Sequence, residues 1–353
     1  MNVSSMNNRY YWITCMLENF DFGVIQTYVD DPLITDINYN GRQCWIDHLR
    51  KGRYPLAPFD AHEAMQILVY KIANYVNLPF NATSPVLEAE TDSLRISLLH
   101  PSIAKGGLSL SLRKTPAVCR LHDTETGIKA YAPEWVIALL QEAVKHRKNI
   151  LVSGLPGSGK TEFVKYLMES IPAHERVITI EDSLELRYGD IHPTKDHVML
   201  KVQERFGYEQ AIKTSLRQRP DWICVSEVRG SEIMYLLQSI STGTSLISTI
   251  HAESAFAIPA RMLMLMPGFD LNNQSLLTMI HDCIDFGIHL EVNHDGQKVV
   301  RSIRELVQFK INENYEQEKK TIYQCDDKNK TIRYQSLFTN KKTKIPRTPM
   351  DLQ

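Results

Sequence analysis

Residues 154 to 161 combine glycines, a lysine and a hydroxyl side chain at a spacing that suits phosphate binding. They read GLPGSGKT, which follows the pattern G-x-x-x-x-G-K-T. Glycines let main-chain N–H groups approach phosphate oxygens, and the loop opens a helix whose first amides favour an anion. We expect Lys160 to contact the β- and γ-phosphates of a nucleotide and the Thr161 hydroxyl to hold Mg²⁺. The other loop residues assigned to the phosphates are Gly154, Leu155, Pro156, Gly157, Ser158 and Gly159.

Acidic residues and a histidine follow three further apolar runs of the sequence. These residues are Glu181 and Asp182 after the run 176–180, Glu227 after the run 222–226, and His251 after the run 246–250. The phosphate loop likewise follows an apolar run. Since the carboxyl ends of parallel strands meet at one edge of a sheet, where ligands bind, we expect the four segments to converge.

The elements that position these residues belong to an α/β domain that we place at 134–353, with a C-terminal extension. An amphipathic helix is predicted at 134–145, directly before the strand that leads into the phosphate loop. Near the end, residues 321–325 and 331–336 alternate in polarity and predict a hairpin, which a basic tail follows.

The first 115 residues have a different pattern and predict a small α+β domain. Asn40 and Gly41 separate two alternating runs, as in a β-hairpin. Residues 61–76 place apolar side chains on one face of a helix, and two later segments alternate with period two. Residues 116–133 break these patterns with prolines and a glycine. We interpret them as a linker, which is either a hinge or an ordinary surface loop.

Composition limits the classes of protein that remain. The chain has 353 residues, 43% of them hydrophobic, and a formal net charge of −1, so no global basic field favours stable nucleic-acid binding. The six cysteines form no C-x-x-C pair, and we expect free thiols in a reducing compartment, with neither disulfides nor a zinc site. The first residues lack the pattern of a signal peptide, and we expect a cytoplasmic protein.

Four segments together resemble the ATPases that power type II secretion, type IV pili and type IV secretion, and within them the CpaF-like motors of tight adherence and conjugation. The segments are GLPGSGKT (154–161), VITIEDSLEL (177–186), LRQRPDWICVSEVRG (216–230) and STGTSLISTIHAES (241–254). The resemblance implies a RecA-like P-loop ATPase domain preceded by a small α+β N-terminal domain. It also implies ATP and Mg²⁺ as cofactors, and a homo-oligomeric ring, usually a hexamer. Such a ring would lie at the inner face of the membrane, against secretion or pilus platform proteins.

The resemblance also assigns roles to individual residues. Glu227 matches the Walker B carboxylate, Glu181 and Asp182 match the acidic box, and His251 matches the histidine box. Glu227, Glu181 and His251 are thus the candidate catalytic residues, and Thr161, Glu181 and Glu227 are the candidates for holding Mg²⁺, partly through water. Candidates for sensing the γ-phosphate or for contacts across a subunit boundary are Arg113, Arg217, Arg219 and Arg229. For each arginine, a surface salt bridge is the alternative.

The sequence departs from the family pattern at two places. The histidine box is one residue shorter than usual and reads Thr242-Gly243-Thr244-Ser245, and Ser226 replaces the glycine that commonly precedes the catalytic glutamate. The four-cysteine insert of type II secretion motors is absent, as is the C-terminal signature of retraction motors, which favours the tight-adherence branch.

These observations lead to one principal hypothesis and two alternatives. The principal hypothesis is an ATP-hydrolysing ring that drives pilus assembly, secretion or conjugative transfer. The first alternative is a nucleotide-gated scaffold that hydrolyses ATP poorly, because the altered histidine box would weaken catalysis. The second is a DNA translocase, against which the near-neutral charge argues.

Overall fold

The computed structural model describes residues 20–91, 93–122, 127–266, 272–295, 298–312, 316–325 and 331–334. These residues form two compact units. The first unit contains the described chain up to Pro116 together with the segment Asp295–Val299, and the second contains Ala117–His294 and the chain from Val300 onward. The described part of the predicted linker therefore falls almost entirely in the second unit, and its role as a hinge stays a prediction. The basic tail lies outside the described residues.

The first unit is an antiparallel sheet of six strands with one long helix. Its elements are a 3-10 helix Gly23–Ile25, α1 Gln26–Asp30, β1 Ile34–Tyr39, β2 Cys44–His48, β3 Gly52–Pro55, α2 His62–Tyr75, β4 Val86–Glu90, β5 Leu94–Leu99 and β6 Ser109–Lys114. The strand order is β3-β2-β1-β6-β5-β4. Alternate residues of β5 are buried, and α2 buries one apolar stripe in the same core cluster, which explains the two periodicities in the sequence.

The second unit is built on a nine-stranded sheet. Its elements are 3-10 helices Arg120–His122 and Ile128–Ala130, α3 Glu134–Lys145, β7 Ile150–Gly154, α4 Lys160–Met168, β8 Val177–Glu181, α5 Tyr188–Ile191, β9 His197–Lys201, α6 Tyr208–Leu216, β10 Trp222–Val228, α7 Glu232–Ser241, β11 Ser245–Ile250, α8 Ile258–Met264, α9 Asn273–Cys283, β12 Phe286–Asp295, β13 Lys298–Ile311, β14 Gln317–Cys325 and β15 Thr331–Tyr334. The strand order is β15-β14-β13-β12-β7-β11-β10-β8-β9.

The central strands of this sheet are buried on both faces. The neighbours from β12 to β9 pair in parallel, and every residue of β7, β8 and β11 is buried. Side chains on one face pack with α3 and α4, and those on the other face pack with α6 to α9. This covering by helices explains why the strands read as continuous apolar runs. The predicted α/β class is confirmed.

The sheet is wider than the sequence predicts. Four parallel strands are expected, yet β9 and β12 also pair in parallel with their neighbours. The predicted C-terminal hairpin is confirmed by the antiparallel pairing of β14 with β15, although its turn lies outside the described residues. Through β13, this hairpin extends the same sheet. Among the residues that the structure describes, no helix has the length and apolar character needed to cross a bilayer.

Candidate active site

Four parallel strands bring the predicted site residues to one edge of the second unit. Because β7, β8, β10 and β11 run in the same direction, their carboxyl ends meet at this edge. The phosphate loop follows β7, the acidic pair lies at the end of β8, Glu227 is near the end of β10, and His251 follows β11. The predicted convergence of the four segments is present in the structure.

The phosphate loop is held by close packing around two of its glycines. Gly154 has a φ of +149°, and a Cβ there would lie 2.6 Å from both the Leu290 carbonyl oxygen and the Ser158 Oγ. Gly159 has a φ of +88°, and a Cβ there would overlap the Tyr131 hydroxyl. The Tyr131 ring in turn stacks on Phe163 of α4, with ring centroids 5.6 Å apart. Only glycine fits these two positions, so the loop and the start of α4 have fixed places.

Lys160 lies beneath this loop and is only 9% exposed. Its Nζ donates hydrogen bonds to the carbonyl oxygens of Gly154, at 2.9 Å, and Leu155, at 3.1 Å. Burial lowers the pKa of this ammonium group, and the charges of Glu227 and Glu185 act in the opposite direction. A cation with two neutral acceptors in a buried setting is well placed to bind an anion, since phosphate oxygens would add the missing opposite charge.

Thr161 has a partner that the sequence analysis did not single out. The Thr161 hydroxyl donates a hydrogen bond to Glu185 Oε2 at 3.1 Å. Glu185 lies in the acidic box VITIEDSLEL, four residues after Glu181, so the segment was recognised but this carboxylate was missed. A hydroxyl and a carboxylate side by side are the hard oxygen ligands that Mg²⁺ prefers.

Glu181 is fully buried and makes bonds within its own segment. Its Oε2 accepts hydrogen bonds from the backbone N–H groups of Glu185, at 2.8 Å, and Leu186, at 2.7 Å. Its Oε1 is buried without a hydrogen-bond partner among the described residues. Burial raises the pKa of this carboxyl group to about 7, even though the two backbone bonds act to lower it. Glu181 thus fixes the turn that presents Glu185 to Thr161.

Glu227 is the centre of a charged cluster at the same edge. Its Oε1 lies 3.0 Å from His251 Nε2, and its Oε2 accepts a hydrogen bond from Arg229 at 2.8 Å. Arg229 also binds Asp182, at 2.7 Å, and these bonds with the two carboxylates raise the pKa of its guanidinium. The pairing of β10 with β11 shifts register between Val225 and Val228, so the ladder is interrupted at the residues that include Glu227.

The remaining predicted arginines lie elsewhere. Arg217 and Arg219 are exposed and precede β10, whereas Glu227 is near its far end, so on the order of 20 Å separates them along the strand. The shortened turn of the histidine box, between α7 and β11, lies at this same opposite edge. Arg113 belongs to the first unit, where its Nε lies 2.8 Å from Asp36. Roles for these three arginines across a subunit boundary stay predictions.

Two further side chains contact the phosphate loop or its strand and were not predicted. Arg301 of β13 donates a hydrogen bond to the Gly157 carbonyl oxygen at 3.0 Å. His289 of β12 lies 3.0 Å from the Ser153 hydroxyl, and burial lowers its pKa. Neither residue belongs to a sequence motif, because each reaches the loop only through the pairing of distant strands.

Comparison with known proteins tests the resemblance. The sequence profile of the family described as "Type II/IV secretion system protein" matches residues 84–330, which is more than half of the chain. The chain belongs to the type II/IV secretion system protein family. This result confirms the predicted superfamily, while the CpaF-like branch stays a prediction.

Two relatives are similar over most of this chain. An uncharacterised protein of Bacillus anthracis is 27% identical over 304 residues, which cover 82% of this chain and 68% of the relative. The type IV secretion system protein VirB11 of Bartonella quintana is 27% identical over 274 residues, which cover 65% of this chain and 76% of the relative.

Two solved structures share the fold. The ATPase DotB of Yersinia pseudotuberculosis superposes with a TM-score of 0.62 at 16% identity, covering 85% of this chain and 81% of that protein. The pilus retraction motor PilT with bound ADP gives a TM-score of 0.58 at 21% identity, covering 80% of this chain and 82% of PilT. The RecA-like architecture with a preceding domain is confirmed by these likenesses.

The burial of Glu181 predicts an unusual dependence of stability on pH. The folded protein keeps the Glu181 proton up to about pH 7, whereas an unfolded carboxyl group loses it near its ordinary value of 4.5. The contribution of Glu181 to the free energy of unfolding is therefore largest below pH 4.5 and is lost as pH rises through 7. The loss is on the order of 3 kcal/mol. Glu181→Gln removes this titration. We therefore expect the free energy of unfolding of the variant, relative to that of the wild type, to be higher at pH 8 than at pH 5.

Urea denaturation of both proteins at the two pH values measures this gain. Glu204→Gln, which alters an exposed carboxylate in the loop after β9, is the control for the replacement of a glutamate by a glutamine. An equal difference between wild type and Glu181→Gln at both pH values would mean that Glu181 titrates as an ordinary carboxyl group.

Proposed function

We propose that this protein is an ATPase of a secretion or pilus-assembly machine, working as a homo-oligomeric ring. The observation that carries the proposal is the buried Lys160 ammonium beneath a glycine-rich loop, at the edge where Glu227 and His251 meet. Membership of the type II/IV secretion system protein family supports the kind of machine. The relatives named VirB11 and DotB, and the motor PilT, support a motor role for this chain.

In the proposed reaction, different site residues would bind the phosphates and the metal ion. Lys160 would exchange its bonds with the Gly154 and Leu155 carbonyls for bonds with the β- and γ-phosphates. Thr161 and Glu185 fit a Mg²⁺ ion by their oxygen atoms, with Glu227 and Glu181 as the further candidates that act partly through water. When bound, Mg²⁺ supplies charge neutralisation at the phosphate oxygens.

Glu227 is the candidate base that orients and deprotonates the attacking water. In the structure both of its oxygens are engaged, one by His251 and one by Arg229. Arg229 would leave Glu227 to bind the γ-phosphate, and this exchange of anions would free the carboxylate for water. His251 then holds the other carboxylate oxygen in place.

The same contacts favour a second candidate function. With both Glu227 oxygens engaged, the catalytic carboxylate is withheld from water until Arg229 moves. A chain in which this exchange is slow would bind ATP and hydrolyse it poorly, as a nucleotide-gated scaffold of the same secretion machine. The turnover number with and without DNA separates motor, scaffold and translocase.

We also propose that the ring lies in the cytoplasm, against platform proteins at the inner face of the membrane.

Exposed Arg217 and Arg219 lie at the edge opposite the phosphate loop, so any contact that they make with nucleotide must come from a neighbouring subunit. Six subunits is the number that the family resemblance favours.

Glu227→Gln should keep ATP affinity and lose at least about 100-fold in turnover, because an amide binds His251 and Arg229 yet cannot accept a proton. Steady-state hydrolysis and equilibrium binding of ATP measure the two effects. Glu318→Gln, which alters an exposed carboxylate of β14, is the matched control and should hydrolyse ATP at the wild-type rate. If Glu181→Gln lost more activity than Glu227→Gln, the catalytic base would be the acidic-box residue instead.

Assembly should raise the activity of each subunit. An arginine supplied across a subunit boundary contributes about 10³-fold or more to turnover. We expect activity per subunit to increase with protein concentration in parallel with mass measured by light scattering. The double variant Arg217→Ala/Arg219→Ala should assemble without this increase, whereas Lys310→Ala, which removes an exposed cation of β13, should behave as wild type. A monomer with constant activity per subunit would contradict the ring.

A further inference from the structure

Cys119, His122 and Glu169 form a cluster away from the phosphate edge. The sulfur, an imidazole nitrogen and a carboxylate oxygen of these residues all lie within 4.8 Å of one another. His122 Nε2 and Glu169 Oε1 are 2.8 Å apart. Cys119 directly precedes the 3-10 helix Arg120–His122, and Glu169 caps the carboxyl end of α4, so two packed elements supply the three groups.

The segment that carries two of these groups is attached to α4 at further points. The Arg120 backbone N–H donates a hydrogen bond to Glu162 Oε2 at 2.9 Å. Lys165, which is 3% exposed, donates to the Val118 carbonyl oxygen at 3.4 Å and also binds Glu162 at 2.9 Å. Because these bonds fix the segment against α4, the cluster is held together by its surroundings and not by the His122–Glu169 contact alone.

The chemistry of the three groups points to a particular cation. Thiolate, imidazole and carboxylate are the three ligand types of Zn²⁺, and the spacing C-x-x-H suits two ligands from one short turn. Ligand atoms of a tetrahedral zinc site are on the order of 3.3–3.7 Å apart, by the metal–ligand distances of such sites. The three atoms of this cluster lie within 4.8 Å of one another, so small side-chain rotations would bring them to that spacing.

We propose that Cys119, His122 and Glu169 bind one Zn²⁺ ion, with water as the fourth ligand. The water would enter from the side of His122, whose side chain is 60% exposed. Of the free cysteines that the structure describes, Cys44, Cys224, Cys283 and Cys325 are buried, and Cys119 alone is partly accessible.

The position of the ion gives it a structural role. The second unit begins at Ala117, and α4 begins with Lys160 and Thr161 of the phosphate loop. Zinc would therefore fasten the start of the second unit to the helix that carries the phosphate ligands. The proposal differs from the expectation of no zinc site, which rested on the absence of C-x-x-C pairs, because Glu169 lies 47 residues away from His122 in the chain.

Metal binding by the full-length protein tests the proposal. After dialysis against EDTA, the wild type should take up one Zn²⁺ per chain in competition with a chromophoric chelator. Cys119→Ser and His122→Gln should bind Zn²⁺ at least about 100-fold more weakly, because even partners behind the ligands contribute 10–100-fold. His174→Gln, which alters an exposed histidine shortly after α4, is the control and should bind as wild type.

Substitution with Co²⁺ separates this site from the Mg²⁺ site of the proposed ATPase. The wild type with Co²⁺ should show a thiolate-to-metal charge-transfer absorption that Cys119→Ser lacks, and saturating Mg²⁺ and ADP should leave it unchanged. Lack of stoichiometric Zn²⁺ uptake by the wild type, or equal uptake by wild type and Cys119→Ser, would overturn the proposal. ATP hydrolysis by the wild type is measured independently, so failure of one proposal leaves the other standing.

Discussion

The ammonium group of Lys160 is the charge around which the second unit is arranged. It is nearly buried, and its partners on the loop are two neutral carbonyl oxygens. Desolvation of a cation is costly, and the nearby carboxylates Glu185 and Glu227 offset only part of that cost. The packing of Gly159 under Tyr131 holds the loop in the conformation that keeps Lys160 in this position. An anionic ligand therefore gains from a site whose positive charge is already desolvated and fixed.

The two carboxylates whose charges act on Lys160 lie in two separate hydrogen-bonded groups. Glu185 is held against Thr161 by the turn that buried Glu181 fixes, whereas Glu227 is shared by Arg229 and His251. The first group has the oxygen ligands that Mg²⁺ prefers. In the proposed function, the second group would exchange a partner before Glu227 acts on water, so binding of the γ-phosphate would be coupled to release of the base. Such coupling would link nucleotide binding to motion of the surrounding loops.

Much of this arrangement follows from the sequence because it depends on local patterns. The glycine loop, the apolar strands and the polar residues that follow them predict the edge where Lys160, Glu227 and His251 meet. Residues such as Arg301 and His289 could not be predicted, because they reach the loop only through the pairing of β12 and β13 with distant strands. Glu185 was missed for a different reason: its motif contains three carboxylates, and sequence spacing does not show which one lies beside Thr161. Arg217 and Arg219 lie at the opposite edge because they precede β10, and this could be seen only once the direction of β10 in the sheet was known.

Equilibrium binding of ATP in the presence of Mg²⁺ tests most directly whether Lys160 is the anion-binding charge of this site. Isothermal titration of wild type and Lys160→Ala compares the affinities, with Lys213→Ala, which removes an exposed cation of α6, as the control. We expect Lys160→Ala to weaken binding about 100-fold or more, which corresponds to roughly 3 kcal/mol of charge-assisted hydrogen bonding, and Lys213→Ala to bind as wild type. Equal ATP affinity of Lys160→Ala and wild type would mean that Lys160 is not the anion-binding charge of this site.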